Sequence, residues 1–314
     1  MYFNKYNIKN NNFILFDEKK LKKCKNYAVF IYNYPFDDKN LEYGNIGDYI
    51  QSLAALQFLP KNCMPIFIDR DEIDNYNGEK AIIIMNGWYR IIKKKRFISP
   101  NLLPIFVSVH ISNPYNIDSY LINNLKKYEP IGCRDTYTLN ALKEKGINSY
   151  FSSCLTTTMD IDYLVNDEQR NDEIIFIDYN FGYDNKIDNY IKSLKEYNFS
   201  NVTYVTHNFK LNLTQNERFN FAKSLINKYA RAKLIITTRI HGALPCLALN
   251  TPFIFVNKQF DRRYYGIYQF FNTVGINSTG KFNINVLLNK NNLIINPKAY
   301  LEYSNKLKNI FKLI

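Results

Sequence analysis

Arg239 and His241 stand one residue apart, after the apolar run Leu234-Ile235-Ile236-Thr237-Thr238 and before Gly242-Ala243-Leu244-Pro245. A fixed cation beside a titratable imidazole suits an anionic substrate that must gain or lose a proton. The run before the pair is short, β-branched and apolar, as a buried parallel strand is. Gly242 is expected to open a helix of small residues with Pro245 in its first turn, where a missing N–H does no harm. Asn250-Thr251-Pro252 stops that helix, and Phe253-Ile254-Phe255-Val256 reads as the next buried strand. The pair therefore falls at the carboxyl edge of a sheet, against a helix N-terminus whose free N–H groups favour an anion. The structural alternative is that Arg239 pairs with a carboxylate of the fold and His241 merely caps.

Other residues strengthen the chemical reading. The chain has three histidines, and His110, His207 and His241 each close a predicted strand at its carboxyl end. A cleft lined from two sides explains that pattern, although His110 and His207 taken singly also read as structural. Gly44-Asn45-Ile46-Gly47-Asp48 is a glycine turn between a strand at 27–33 and a helix at 49–59. Its glycines would allow close approach to a ligand, and Asn45 or Asp48 would orient that ligand or cap the helix. Trp88 follows the strand at 81–85, where its face could stack on a sugar or simply fill core. Ile131–Cys133 ends in the charged pair Arg134-Asp135, and residues 150–158 are rich in hydroxyls suited to a polar ligand.

These residues need elements to hold them, and the chain is long enough to provide two domains: 314 residues, 46% apolar, with 26 Tyr and 23 Phe. Strands at 66–68, 104–110, 173–178 and 202–207 alternate with helices at 121–127, 138–145, 189–197 and 217–230, which is an α/β pattern. The polar stretch 166–172 is the best linker. The expected division is an N-terminal α/β domain at 1–165, a C-terminal one at 166–297, and a last amphipathic helix at 298–314 packing back across the hinge. The net charge of +13 suits anionic substrates or anionic membrane surfaces; no nucleic-acid motif accompanies it. Lys93-Lys94-Lys95-Arg96 reads as a solvated face, with docking on anionic lipid as the lesser alternative. Five scattered cysteines without CxxC spacing indicate neither a disulfide framework nor a zinc site, and no apolar run reaches the length of a membrane span. A cytoplasmic protein is expected, with peripheral association at the inner membrane face through its basic surface as a further option.

Taken in order, these pieces resemble the polysaccharide pyruvyl transferase family. They are Asn45-Ile46-Gly47-Asp48 with its helix, Val109-His110, Gly132-Cys133-Arg134-Asp135 with Phe151–Thr156, Val205-Thr206-His207, and Thr238–Pro245. The resemblance implies two Rossmann-like domains facing a cleft, similar to the B-type (GT-B) glycosyltransferase fold. It implies transfer of the enolpyruvyl group of phosphoenolpyruvate onto two hydroxyls of a sugar or oligosaccharide, lipid-linked or not, giving a cyclic ketal and phosphate. Phosphoenolpyruvate is then a co-substrate, and no cofactor or metal is expected. By the resemblance Arg239 is the donor-binding arginine, with Ile240 and Gly242 in the same turn, Arg134 is its second arginine, and His241 is the catalytic histidine. Two arginines match the two anions of such a donor, and an imidazole beside a bound dianion has its pKa raised towards use as an acid. Asn45, Asp48, Trp88, His110, Asp135 and His207 remain candidates for the acceptor side or for support, with Asp48 or Asp135 as base. A nucleotide-sugar glycosyltransferase, whose pyrophosphate Arg239 would hold, and a non-catalytic sugar-binding protein are the rival readings.

Overall fold

A computed structural model describes residues 24–34, 42–90, 98–160, 170–182 and 184–312. Its first half contains β1 (Asn26–Ile31), β2 (Tyr43–Asn45), α1 (Ile46–Leu56), β3 (Ile66–Asp69), β4 (Ala81–Tyr89), β5 (Leu102–Ile111), α2 (Ser119–Lys126), β6 (Ile131–Cys133), α3 (Thr136–Glu144) and β7 (Ser149–Phe151). The second half contains β8 (Ile174–Ile177), α4 (Asn185–Ser193), β9 (Val202–Val205), β10 (Asn208–Lys210), α5 (Gln215–Arg231), β11 (Leu234–Thr237), α6 (Ile240–Ala248), β12 (Phe253–Asn257), β13 (Thr273–Ile276), β14 (Phe282–Asn285) and α7 (Leu301–Phe311). The expected boundary at 165/166, most of the 166–172 linker and the Lys93–Arg96 run lie outside the described residues.

The strands form two six-stranded sheets. The first has the order β3-β1-β4-β5-β6-β7 with parallel pairing throughout. The second has the order β14-β13-β12-β11-β8-β9, parallel except for the β13–β14 pair. Its central strands β8, β11 and β12 are buried along their whole length, which is why they read as continuous runs of Ile, Phe and Val rather than alternating ones. A two-stranded antiparallel ribbon, β2 with β10, ties the halves together, and the Ile46 N–H bonds the His207 carbonyl at 2.8 Å beside it.

The halves share one apolar core. Tyr49 on α1 packs its ring edge-on against Phe219 of α5, and Arg218 reaches from α5 to the Tyr32 carbonyl after β1 at 2.7 Å. From α7, Phe311 stacks on Phe58, Tyr303 meets Phe151 edge-on, and Ser304 bonds the Thr157 carbonyl.

Several local expectations need correction. Helix α1 begins at Ile46 because the Asn45 side chain accepts from the Gly47 N–H and caps it. Neither glycine of that turn opens onto a ligand: a Cβ at Gly44 would strike Phe209 and Tyr34, and one at Gly47 would come within 2.7 Å of His241 Nδ1. Trp88 lies inside β4, paired with His110, because a register shift between Met85 and Gly87 carries the strand on to Tyr89. Helix α6 starts at Ile240, so Pro245 falls in its second turn and removes the N–H that would bond the His241 carbonyl. His241 is thus in the first turn of a helix, not at a strand end. The hydroxyls of Thr157 and Thr158 bond carbonyls within their own tight turn, so the segment at 150–158 offers them to the fold.

Candidate active site

The carboxyl ends of both sheets and the N-terminus of α1 meet at a cavity of about 440 Å³, a size suited to a small ligand. Arg134, Arg239, Ile240 and His241 line it, and so do Asn45, Asp48, Trp88 and His207. Of the other candidates, Gly242 gives its N–H to the Arg239 carbonyl, and its missing Cβ lets α6 lie against Thr237 of β11. Asp135 is fully buried, and His110 opens on a neighbouring cavity.

The arginines arrive by two strand-to-helix turns. Arg134 follows β6, and its guanidinium is buried with no partner for Nε. Burial lowers its pKa, the mark of a cation taken out of water, with Asp135 pulling the other way. Such a charge is costly unless an anion meets it. Arg239 follows β11, and its Nε donates to Asp178 Oδ2 at 2.6 Å while Nη2 reaches Asn208 Oδ1 at 3.2 Å. The structural alternative for Arg239 is therefore real in part: a carboxylate of the fold holds it, and that grip presents the rest of the guanidinium at the cavity. Asp178 also accepts from the His207 N–H and the Thr206 hydroxyl; these bonds and Arg239 outweigh burial and keep its carboxyl below the usual range.

His241 is nearly enclosed, with Cys154 Sγ 3.9 Å from Nε2. Burial first, then the guanidinium charges of Arg134 and Arg263, push its pKa well below that of a free imidazole. In the field of the protein alone it is neutral. Helix α6 has no side-chain cap, so its leading N–H groups stay open at the same place. Asp48, on the first turn of α1, sits with its Oδ2 3.1 Å from the Tyr34 hydroxyl. Burial raises its pKa against the opposing pull of Arg70 and Arg134.

His207 differs from its namesakes. Its Nε2 is 2.7 Å from the Tyr229 hydroxyl, its backbone groups bond Asp178 and Ile46, and burial drives its pKa down to about 3. It joins β9, α5 and the ribbon. Asp178 and Arg263 line the cavity without having been anticipated. Asp178 had a readable signal, since it directly follows β8, the strand beside the one that leads to Arg239; Arg263 lies in a three-residue 3-10 turn, Arg262–Tyr264, too short to show a period.

The sequence profile for polysaccharide pyruvyl transferase matches residues 45–258. No curated protein matches the chain. Among solved structures it is similar to the crystal structure of a functionally uncharacterized protein from Klebsiella pneumoniae subsp. pneumoniae NTUH-K2044, with 16% identity, 80% of this chain and 92% of that chain covered, and a TM-score of 0.47. The profile spans more than half of the chain, from the cap of α1 to the end of β12, and so takes in both arginine turns and His241: the chain belongs to the polysaccharide pyruvyl transferase family, a family of transferases acting in polysaccharide synthesis.

Proposed function

We propose that the donor is phosphoenolpyruvate and that its pyruvyl group is transferred to two hydroxyls of one sugar as a cyclic ketal. The observation that carries this is the buried Arg134, whose Nε has no partner among the described residues, lining one cavity with an uncapped helix N-terminus and the Arg239–Asp178 pair. The donor has two anionic ends, a carboxylate and a phosphate, and the cavity has two cationic sides. Forked hydrogen bonds from the arginines and the open N–H groups of Ile240 and His241 suit them. A bound dianion opposes the charge of Arg134 and raises the His241 pKa, so that the imidazole takes up a proton as the donor enters. It then delivers that proton to the methylene carbon, and a sugar hydroxyl adds to the adjacent carbon. The two sheets act as Rossmann-like halves of a cleft, in an arrangement similar to the B-type glycosyltransferases. The basic surface and the sugar-polymer role fit work on a lipid-linked precursor at the inner membrane face; among the described residues no helix is long and apolar enough to cross a membrane.

The test is a ligand screen by thermal shift. Phosphoenolpyruvate is expected to stabilise the protein, whereas nucleoside diphosphates and nucleotide sugars are not. Stabilisation by a nucleotide sugar alone would establish the glycosyltransferase reading instead.

A further inference from the structure

A second cavity of about 450 Å³ adjoins the first, sharing Trp88 and Arg263 with it. His110, Phe260 and Arg262 complete its main lining. His110 is 3% exposed and stands on β5 with Nδ1 2.6 Å from Asp135 Oδ2. The other Asp135 oxygen accepts from the Thr138 N–H at 2.8 Å, capping α3. An ionised carboxylate only accepts, so it fixes the proton of the neutral ring on Nδ1 and leaves the lone pair on Nε2. Nε2 has no partner among the described residues. His207 shows what a purely structural histidine looks like in this fold, for its Nε2 is taken by Tyr229.

We propose that this second cavity receives the sugar acceptor and that His110 is the general base for its hydroxyls, with Asp135 as the positioning residue. The assignment rests on the pyruvyl-transfer reading above. Trp88 and Phe260 offer flat apolar faces for the C–H side of a sugar ring. The charged groups facing the imidazole are Asp135 and Arg134 after β6 and, after β12, Arg263 with the Asp261 carboxylate that it pairs with at 2.9 Å. Burial, with the two arginines, outweighs Asp135 and lowers the His110 pKa, which leaves the ring neutral and able to take a proton at neutral pH. In the first addition the hydroxyl oxygen bonds to the carbon bearing the phosphate, and its proton passes to His110 Nε2. In the second the carbon–oxygen bond to phosphate breaks, the electron pair leaves with phosphate, the departing phosphate takes up the first proton from His110, and the second hydroxyl then adds with its proton passing to the freed His110 Nε2. Two hydroxyl protons are lost; one is balanced by the proton gained in the new methyl group and one by the released phosphate.

The experiment compares the wild type with His110→Gln and Asp135→Asn; the asparagine keeps an oxygen for the Thr138 cap. Phosphoenolpyruvate binding is measured by calorimetry, and phosphate release is measured with a panel of p-nitrophenyl hexopyranosides. Nitrogen NMR of the imidazoles reads the tautomers directly, because the chain has only three histidines. The expected result is donor affinity within about twofold in both variants. Phosphate release should fall by about 10²–10⁴ in His110→Gln, the range for a missing base, and by about tenfold or more in Asp135→Asn. His110 should be the Nδ1–H tautomer and shift on hexoside addition. Wild-type phosphate release in His110→Gln, an Nε2–H tautomer, or a panel that neither reacts nor shifts the His110 resonance would overturn the assignment. A wild type that binds no phosphoenolpyruvate would instead overturn the donor reading on which it rests.

Discussion

Two strand-to-helix turns, one from each sheet, bring an arginine to the same cavity, and they are finished in opposite ways. After β6, Asp135 caps α3 and holds His110, while the Nε of Arg134 is left unpartnered. After β11, Arg239 takes the cap position of α6 without a capping bond, and its own guanidinium is tied to Asp178. The first turn closes its helix end and leaves its cation open; the second ties its cation and leaves its helix end open. An anion between them meets a bare charge on one side and bare N–H groups on the other, which neither turn supplies alone.

The largest effect expected from breaking this arrangement is at His241. His241→Gln keeps a polar side chain but cannot deliver a proton, so turnover by phosphate release should fall about 10²–10⁴-fold while calorimetric affinity for phosphoenolpyruvate stays close to wild type. Equal losses in affinity and turnover would recast His241 as a binding residue. Arg239→Ala should weaken donor binding about 10–100-fold, partly because it exposes the Asp178 carboxylate to a dianion. Adding Asp178→Asn to Arg239→Ala should then recover about tenfold; a double variant as weak as the single one would show that Asp178 does not face the donor. Gly47→Ala puts a methyl where the His241 ring lies, and turnover should drop about tenfold with the fold intact.

A further effect concerns stability rather than turnover. The His207 pKa is about 3 in the folded chain against 6.5 for a free imidazole, so the unfolded chain binds the extra proton between those values. The neutral, buried ring therefore contributes stability that is complete above about pH 6.5 and is lost as pH falls towards about 3, on the order of several kcal/mol in all. His207→Gln, which can still bond Tyr229, should flatten the fall in unfolding midpoint between pH 6.5 and 4. An unchanged slope would mean that other groups carry it.

The parts of this site that were legible in the sequence are those where local chemistry and chain order coincide. The apolar runs of β8, β11 and β12 are strands because both faces are covered, and the polar residues after β6 and β11 fall at sheet edges for the same reason. What stayed hidden depends on partners far along the chain. The β2–β10 ribbon has three residues on each side, Tyr43-Gly44-Asn45 and Asn208-Phe209-Lys210, too few and too polar to show a period. Strands β13 and β14 are short and carry Gly275, Asn283 and Asn285, which read as loop. The glycines at 44 and 47 looked like ligand contacts because the rings that fill their space, Phe209 and His241, are more than 160 residues away. His207 and His241 are both buried and both line the cavity, and the bond between His207 Nε2 and the Tyr229 hydroxyl is what marks His207 as held by the fold.

Arg134 is the centre of the two-sided anion site: its side chain is buried, its Nε has no partner among the described residues, and a bound anion would complete it. Arg134→Met replaces the guanidinium by an apolar chain of similar reach, which should leave the unfolding midpoint unchanged or raise it, because a buried unpaired charge is removed. The decisive measurement is calorimetric titration of phosphoenolpyruvate into the wild type and into Arg134→Met. We expect heat of binding in the wild type and none in the folded variant; wild-type affinity in the variant would contradict the two-sided anion site.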